Sequence, residues 1–537
     1  GEWGFEGYVM SDWGAVNERV PALKAGLELE MPTSGGAGDQ EIIKAVKDGT
    51  LDEAVLDRAV ERILRISFKW LDNRKEQPFT MEEDHEFARH TAEQSMVLLK
   101  NENVLPLKTD EKVAFIGGFA KKPRFQGGGS SHINSFRVSG ALDAVSRMEE
   151  ISGNVTYAEG FAADRDVYDE TLAAEAVEAA KNADKAVIFA GLPDSFESEG
   201  YDRAHMGLPQ CQNRLIAEIL KVQPNTIVVL HNGSPVEMPW LADVKGLLEA
   251  YLGGQAVGEA EVSLLYGKVN PSGKLAETIP LKLSDNPSYL NFGEGEKTVY
   301  HEGVFVGYRY YDTKEMPVAF PFGYGLSYTT FAYSNLKLDK DELTEKDTLT
   351  VSVDVTNTGN VPGKEIVQLY VRDNSGACRR PDKELKGYEK AALEPGETKT
   401  VTMTLDHRSF AWYNTDMKDW YSASGTYDIL IGASSRDIRL TSAVQMKSSV
   451  KPPLKLHLNT TLGELLSDER TMEYGKYLAD KMTSFFGGSS DEANEAITDE
   501  MNTAMAASMP IRNVVSFGAC SKEEVLEGLN KLIEAQK

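Results

Sequence analysis

A chain of 537 residues is too long for one hydrophobic core and implies about three or four domains. Its formal charge of -26 argues against nucleic acid and anionic membrane as partners, because both repel an acidic surface. The cysteines Cys211, Cys378 and Cys520 are odd in number and in no metal-binding spacing, so a disulfide framework is not expected and a reducing, cytoplasmic compartment is favoured. No apolar run is long enough to cross a bilayer.

The first stretch with chemical content is Gly7-Tyr8-Val9-Met10-Ser11-Asp12-Trp13-Gly14. Its apolar run predicts a strand buried on both faces, ending at a carboxylate and an indole. An acid at the end of a parallel strand carries chemistry in α/β barrels, or else caps the next helix. A second strand is expected at 26–31, closed by Pro32. A helix after Thr50 is expected to start with a Thr50/Glu53 capping box and to bury Leu56, Ala59, Ile63 and Ile66. Residues 1–90 therefore read as two β-α units, the C-terminal part of an eight-fold barrel whose beginning is absent.

Residues 94–107 read as a crossing into a second domain, 91–332. There, apolar strands at 113–116, 186–189, 227–230 and 246–252 alternate with helices at 172–183 and 212–222. That alternation predicts an α/β sandwich with a mainly parallel sheet. The turn Phe125-Gln126-Gly127-Gly128-Gly129-Ser130-Ser131 lacks the spacing of a nucleotide loop and reads as a tight, close-approach turn. From 333 to 448 the period changes to two. Residues 349–355 alternate strictly, and short strands follow at 365–371, 399–403 and 425–430, which predicts an antiparallel β-sandwich. The region 449–537 reads as helical, with capping boxes at Thr461/Glu464 and Ser521/Glu524. Its methionines Met472, Met482, Met501 and Met505 are expected to fill the core.

Taken in order, several motifs resemble glycoside hydrolase family 3, and specifically its β-glucosidases. They are V-M-S-D-W-G-A-V at 9–16, A-G-L-E-L-E-M-P at 25–32, F-Q-G-G-G-S-S at 125–131, E-S-E-G-Y-D-R at 197–203, G-K-V-N-P-S-G-K-L at 267–275 and P-F-G-Y-G-L-S-Y-T at 321–329. The sandwich resembles the fibronectin type III-like domain of that family. The resemblance implies a retaining β-glycosidase acting on terminal β-linked glucose of a β-glucoside or oligosaccharide, with no metal or organic cofactor. Asp12 matches the nucleophile. Glu199 matches the acid/base best, with Glu197 as its competitor, because strand-like alternation would place both on one side.

Read without the resemblance, Glu197, Glu199, Asp202 and Arg203 are a solvated, salt-bridged loop. Trp13 is expected to pack on the sugar, Arg203 to pair with a carboxylate of the loop, and Phe125 to approach the site. The aromatic run 320–331, with Tyr308 to Tyr310, is expected to pack between sheet domain and sandwich. The family's earlier barrel strands have no counterpart here. The chain alone is therefore expected to be poorly active or inactive and to require that barrel segment, or a polypeptide supplying it, and a homo-oligomer stays open. The other readings are a β-xylosidase or α-arabinofuranosidase on the same scaffold, and a non-catalytic carbohydrate-binding or assembly subunit.

Overall fold

The computed structural model describes residues 3–76, 78–293, 295–485 and 499–535. The chain divides into two compact units, Gly1–Asp84 and His85–Lys537.

The first unit contains helices α1 (Arg19–Ala25), α2 (Ala37–Lys47) and α3 (Glu53–Asn73). They pack around Leu23, Ile42, Ala45, Leu51 and Ala59. Its two extended segments meet at a single parallel bridge, Met10 to Leu29. Ser11 stitches their ends, since its Oγ accepts from Met31 N at 2.8 Å. Buried Glu28 accepts from Val9 N at 2.7 Å and pairs with Arg62 at 2.5 Å. The apolar run is not buried on both faces as its composition predicts. Val9 is 45% and Met10 55% exposed, because the described residues give this strand a single neighbour. The expected Thr50/Glu53 capping box is also not formed. Asp52 caps α3 by accepting from Ala54 N at 3.0 Å, while the Thr50 hydroxyl donates back to Ala45 O. Along α3 only Ala59 is fully buried; Leu56 and Ile63 are half-buried, and Ile66 is exposed.

The second unit is built on a six-stranded sheet of β1 (Val97–Asn101), β2 (Val113–Ile116), β3 (Val155–Ala158), β4 (Lys185–Gly191), β5 (Thr226–His231) and β6 (Gly246–Glu249), in the spatial order β1-β6-β5-β4-β2-β3. All neighbours are parallel except β1 with β6. The crossing segment thus continues into an antiparallel edge strand. Every residue of β2, β4, β5 and β6 is buried, which explains the apolar runs along their middles, with polar residues only at the strand ends. From β2 the chain runs outward to β3, then returns to β4 and continues the other way to β5 and β6. The loops leaving β2 and β4 therefore lead toward opposite sides of the sheet and meet at the carboxyl ends of two adjacent strands. That is where open α/β sheets place their ligands.

A sandwich follows. Its larger sheet orders Glu342–Leu343, Ile438–Met446, Gly425–Gly432, Gly363–Asp373 and Glu384–Leu393. Its smaller one orders Thr398–Leu405, Leu349–Asn357 and Phe331–Leu338. One pairing, Glu342–Leu343 with Gln445–Met446, is parallel, so the sandwich is not wholly antiparallel. Leu349–Asn357 alternates buried and half-buried at every step, as its sequence does. The segment joining sheet and sandwich packs as expected. Tyr308 stacks on Phe322 with ring centroids 4.6 Å apart, and Tyr328 Oη donates to Leu264 O. The last region folds helices around Leu465, Leu478, Met482, Val514 and Val525. Met501 and Met505 differ from the core role expected for them: they are 49% and 58% exposed on the helix Asp499–Ser508.

Candidate active site

Two loops meet at this switch point. The first leaves β2 and carries Arg124, Phe125 and the Gly127–Ser131 turn. The second leaves β4 and carries Asp194, Glu197, Glu199 and Arg203. The second loop is a run of turns, with Phe196 N and Glu197 N both reaching Pro193 O. Strand-like alternation does not apply to it, and Glu197 and Glu199 have different surroundings.

Glu197 is half-buried and fully engaged. Arg124 Nη1 lies 2.5 Å from its Oε2, Gly233 N donates to Oε2 at 2.8 Å, and the Ser234 hydroxyl donates to Oε1. Burial raises its pKa, but Ser234, Gly233 and Arg124 together outweigh burial and hold the carboxyl below the usual range. Arg124 itself is buried and clamps the loop further, reaching Asp194 Oδ1 at 3.2 Å and Glu197 O at 2.8 Å. Such a fork of planar donors suits a guanidinium and not an ammonium.

Glu199 is exposed. The Ser130 hydroxyl and the Ser130 backbone N–H both donate to its Oε2, and these two bonds hold its pKa below the ordinary value. A Cβ on Gly129 would come within 2.5 Å of the Glu199 side chain, so only glycine admits this approach.

Arg203, expected to pair with a carboxylate, donates instead to Ser234 Oγ at 2.7 Å and Pro235 O at 3.0 Å. The reason is positional: Arg124 already occupies the Glu197 carboxylate. Phe125 is half-buried against the sheet core, and its carbonyl accepts from Gly254 N.

Behind this loop lies a set of carboxyls that sequence reading missed. Glu249, at the end of β6, is buried, and burial pushes its pKa well up. Burial likewise raises Glu277 to about 7, and its Oε1 lies 3.4 Å from Tyr251 Oη. Beneath Arg124 the buried pair His231 and Glu261 has Nε2 and Oε1 3.1 Å apart, out of hydrogen-bond alignment. Burial pushes the imidazole down to about 4 and the carboxyl up, disfavouring the charged form of each. Neutral His231 then donates from Nδ1 toward Arg124 O at 3.3 Å and supports the clamp from below. Arg124 directly precedes the quoted turn, so its neighbourhood was marked in the sequence although its role was not. Nothing in the sequence pattern singles out Glu249 or Glu277.

Asp12 and Trp13 lie in the first unit, both exposed, with Trp13 N donating to Asp12 Oδ1 at 2.6 Å. The structure thus sets Phe125 on the loop after β2 and Glu197, Glu199 and Arg203 on the loop after β4, at the carboxyl ends of adjacent strands of the second unit, and sets Asp12 and Trp13 together at a strand end of the first.

Comparison with known proteins places these features. Residues 96–328 match the glycosyl hydrolase family 3 C-terminal domain, and residues 365–435 a fibronectin type III-like domain. The thermostable beta-glucosidase B of Acetivibrio thermocellus is 51% identical, over 99% of this chain and 70% of that protein. The exo-alpha-(1->6)-L-arabinopyranosidase of Bifidobacterium longum is 44% identical, over 84% of this chain and 60% of its own length. Among solved structures, a family 3 beta-glucosidase of Bifidobacterium adolescentis superposes with a TM-score of 0.81 at 42% identity, covering 89% of this chain and 69% of that one. The beta-glucosidase of Kluyveromyces marxianus, in complex with glucose, superposes with a TM-score of 0.76 at 28% identity, over 82% of this chain and 73% of that one. A relative this similar, matched over this much of its length, fixes the family: the chain belongs to glycoside hydrolase family 3.

Proposed function

We propose that the chain is the part of a retaining exo-β-glucosidase that carries both catalytic carboxyls, Asp12 as nucleophile and Glu199 as acid/base. The observation that carries the choice of Glu199 is the division of labour in the loop. Glu197 spends both carboxylate oxygens on Arg124, Gly233 and Ser234, whereas Glu199 is exposed and its carboxylate is, among the described residues, reached by Ser130 alone. A group that must give and take a proton needs an accessible oxygen; a group that holds a loop does not. Glu197 is then a fastener of the acid/base loop, and Arg124 its partner.

In the first half-reaction an Asp12 oxygen bonds to the anomeric carbon as the bond to the leaving oxygen breaks, and Glu199 delivers its proton to that oxygen. In the second, water attacks the anomeric carbon, Glu199 takes the water's proton, and the ester bond to Asp12 breaks. Trp13 offers its indole face to the sugar beside Asp12. The exposed faces of Val9 and Met10 support the further proposal that barrel strands from polypeptide outside these 537 residues complete the sugar site. The 44% identity to an arabinopyranosidase keeps a pentopyranoside as a second substrate reading.

The test is release of nitrophenol from aryl β-glucoside and aryl α-L-arabinopyranoside, by the chain alone and mixed with the part of the Acetivibrio relative that this chain does not match. Turnover that falls at least ~10³-fold in Asp12→Asn supports the proposal. In Glu199→Gln, glycosides with poor leaving groups should lose more than activated ones, because only the former need the proton. Full turnover in Asp12→Asn overturns the nucleophile. Sugar binding that persists with no turnover in any folded mixture favours a binding subunit.

A further inference from the structure

The turn that faces Glu199 does more than leave room for it. Two donors of one residue, the Ser130 N–H and hydroxyl, converge on one carboxylate oxygen, Oε2. Among the described residues no hydrogen bond reaches Oε1. The Glu199 backbone completes the contact from the other side, its N–H lying 3.5 Å from Gly128 O. Gly129, at φ +91°, brings the turn so close that any side chain there would strike Glu199. This is a fitted clasp between two loops that leave adjacent strands.

We propose that Ser130 is a positioning residue for the acid/base carboxyl, and that the Gly127–Ser131 turn is a clasp that holds Glu199 in the ionised form it needs as base. The inference rests on Glu199 being the acid/base. Donors aimed at a carboxylate stabilise its anion, and this clasp accordingly holds the carboxyl below the ordinary range. An ionised Glu199 is what the second half-reaction requires, since it must accept a proton from water. The first half-reaction requires the proton to be on Glu199, and there the same two bonds work against it.

The charged neighbours do not supply this effect. Arg124 is engaged with Asp194 and Glu197, Arg203 with Ser234 and Pro235, and His132 with Gln126, while Asp202 is exposed. The clasp can therefore be altered without disturbing an ion pair, and Ser130 is exposed, so its replacement does not threaten the fold.

The experiment is a carboxyl ¹³C titration of the 537-residue chain labelled at glutamate, with Glu199 assigned by loss of its signal in Glu199→Gln. Wild type should titrate below ordinary glutamate. Ser130→Ala and Gly129→Ala should both move the midpoint upward, and Ser130→Thr, which keeps the hydroxyl, should restore it. In parallel, Ser130 amide exchange should quicken in Glu199→Gln. An ordinary midpoint in wild type, or one unmoved by both Ser130→Ala and Gly129→Ala, overturns the clasp. The titration needs no turnover. A failed clasp leaves the hydrolase reading standing, and a failed hydrolase assay leaves the clasp measurable.

Discussion

Two apolar runs in this molecule look alike on paper and end differently. Tyr8-Val9-Met10, in the first unit, makes one bridge and leaves Val9 and Met10 about half exposed. Val113-Ala114-Phe115-Ile116, in the second, pairs on both edges and is buried at every residue. Composition states what a strand would bury if it had neighbours on both faces; it does not supply the neighbours. Free energy follows the area removed from water, so the same residue types stabilise one region strongly and the other little.

Truncation breaks or sharpens this comparison most directly. Phe115 is fully buried, with its ring centroid 5.0 Å from that of Phe189. Phe115→Ala should cost about 3–5 kcal/mol in denaturant unfolding followed in the second unit. Met10→Ala should cost less than about 0.5 kcal/mol by hydrogen exchange in the first unit. Similar costs at the two sites would mean that Met10 is covered in solution by something the described residues do not include.

Polar burial gives the next largest effect. Arg124→Ala removes the cation from beside Glu197 and Asp194 while Glu197 stays half-buried, and should cost about 3 kcal/mol. Hydrogen exchange should quicken first in the 192–209 loop. Arg124→Lys should recover part of the cost, since it keeps the charge without the fork. A loss confined to other parts of the sheet would deny Arg124 its role as fastener.

Glu277 adds a dependence on pH. Burial raises its folded pKa to about 7, above that of an unfolded glutamate, so the folded state holds the proton more tightly. The stability it contributes is complete below about pH 4.5 and is lost as pH rises to about 7. Glu277→Gln, which stays neutral, should therefore gain on wild type by about 1–3 kcal/mol across that window, read as urea midpoints. A constant difference between the two proteins would show that Glu277 is solvated.

How far the sequence reveals the molecule depends on whether the cause is local. The central strands were legible because continuous burial leaves a continuous apolar run. The edge strand β3 was not: Thr156 and Tyr157 are exposed, and nothing in V-T-Y-A demands a sheet. The antiparallel β1 was legible as apolar chain but not as a strand, because its partner β6 lies far along the sequence. At the site, the carboxyl pair was legible and the surroundings of each carboxyl were not. What separates Glu197 from Glu199 is Arg124, 73 residues before Glu197, and Ser130, 69 before Glu199. Spacing two residues apart carries no trace of either.

The start of α3 shows the same limit on a smaller scale, and it can be tested cleanly. Both Thr50 and Asp52 are residue types that cap helices, and Glu53 completes a capping-box pattern only with Thr50. The chain uses Asp52, at φ -68° and ψ 125°, whose Oδ1 meets Ala54 N at 3.0 Å and whose backbone carbonyl accepts from Val55 N. Thr50 is turned back onto the end of α2, where its hydroxyl donates to Ala45 O at 3.2 Å. Asp52→Ala should therefore cost the first unit about 1 kcal/mol, and Thr50→Ala less than about 0.5 kcal/mol. Amide exchange in the first two turns of α3 reads both. A larger cost at Thr50 would move the helix start to where the pattern alone puts it. The ordering expected here instead ties the cap to the backbone that turns the chain out of α2, a constraint set by Leu51 packing in the small core of this unit and not by the residues of α3.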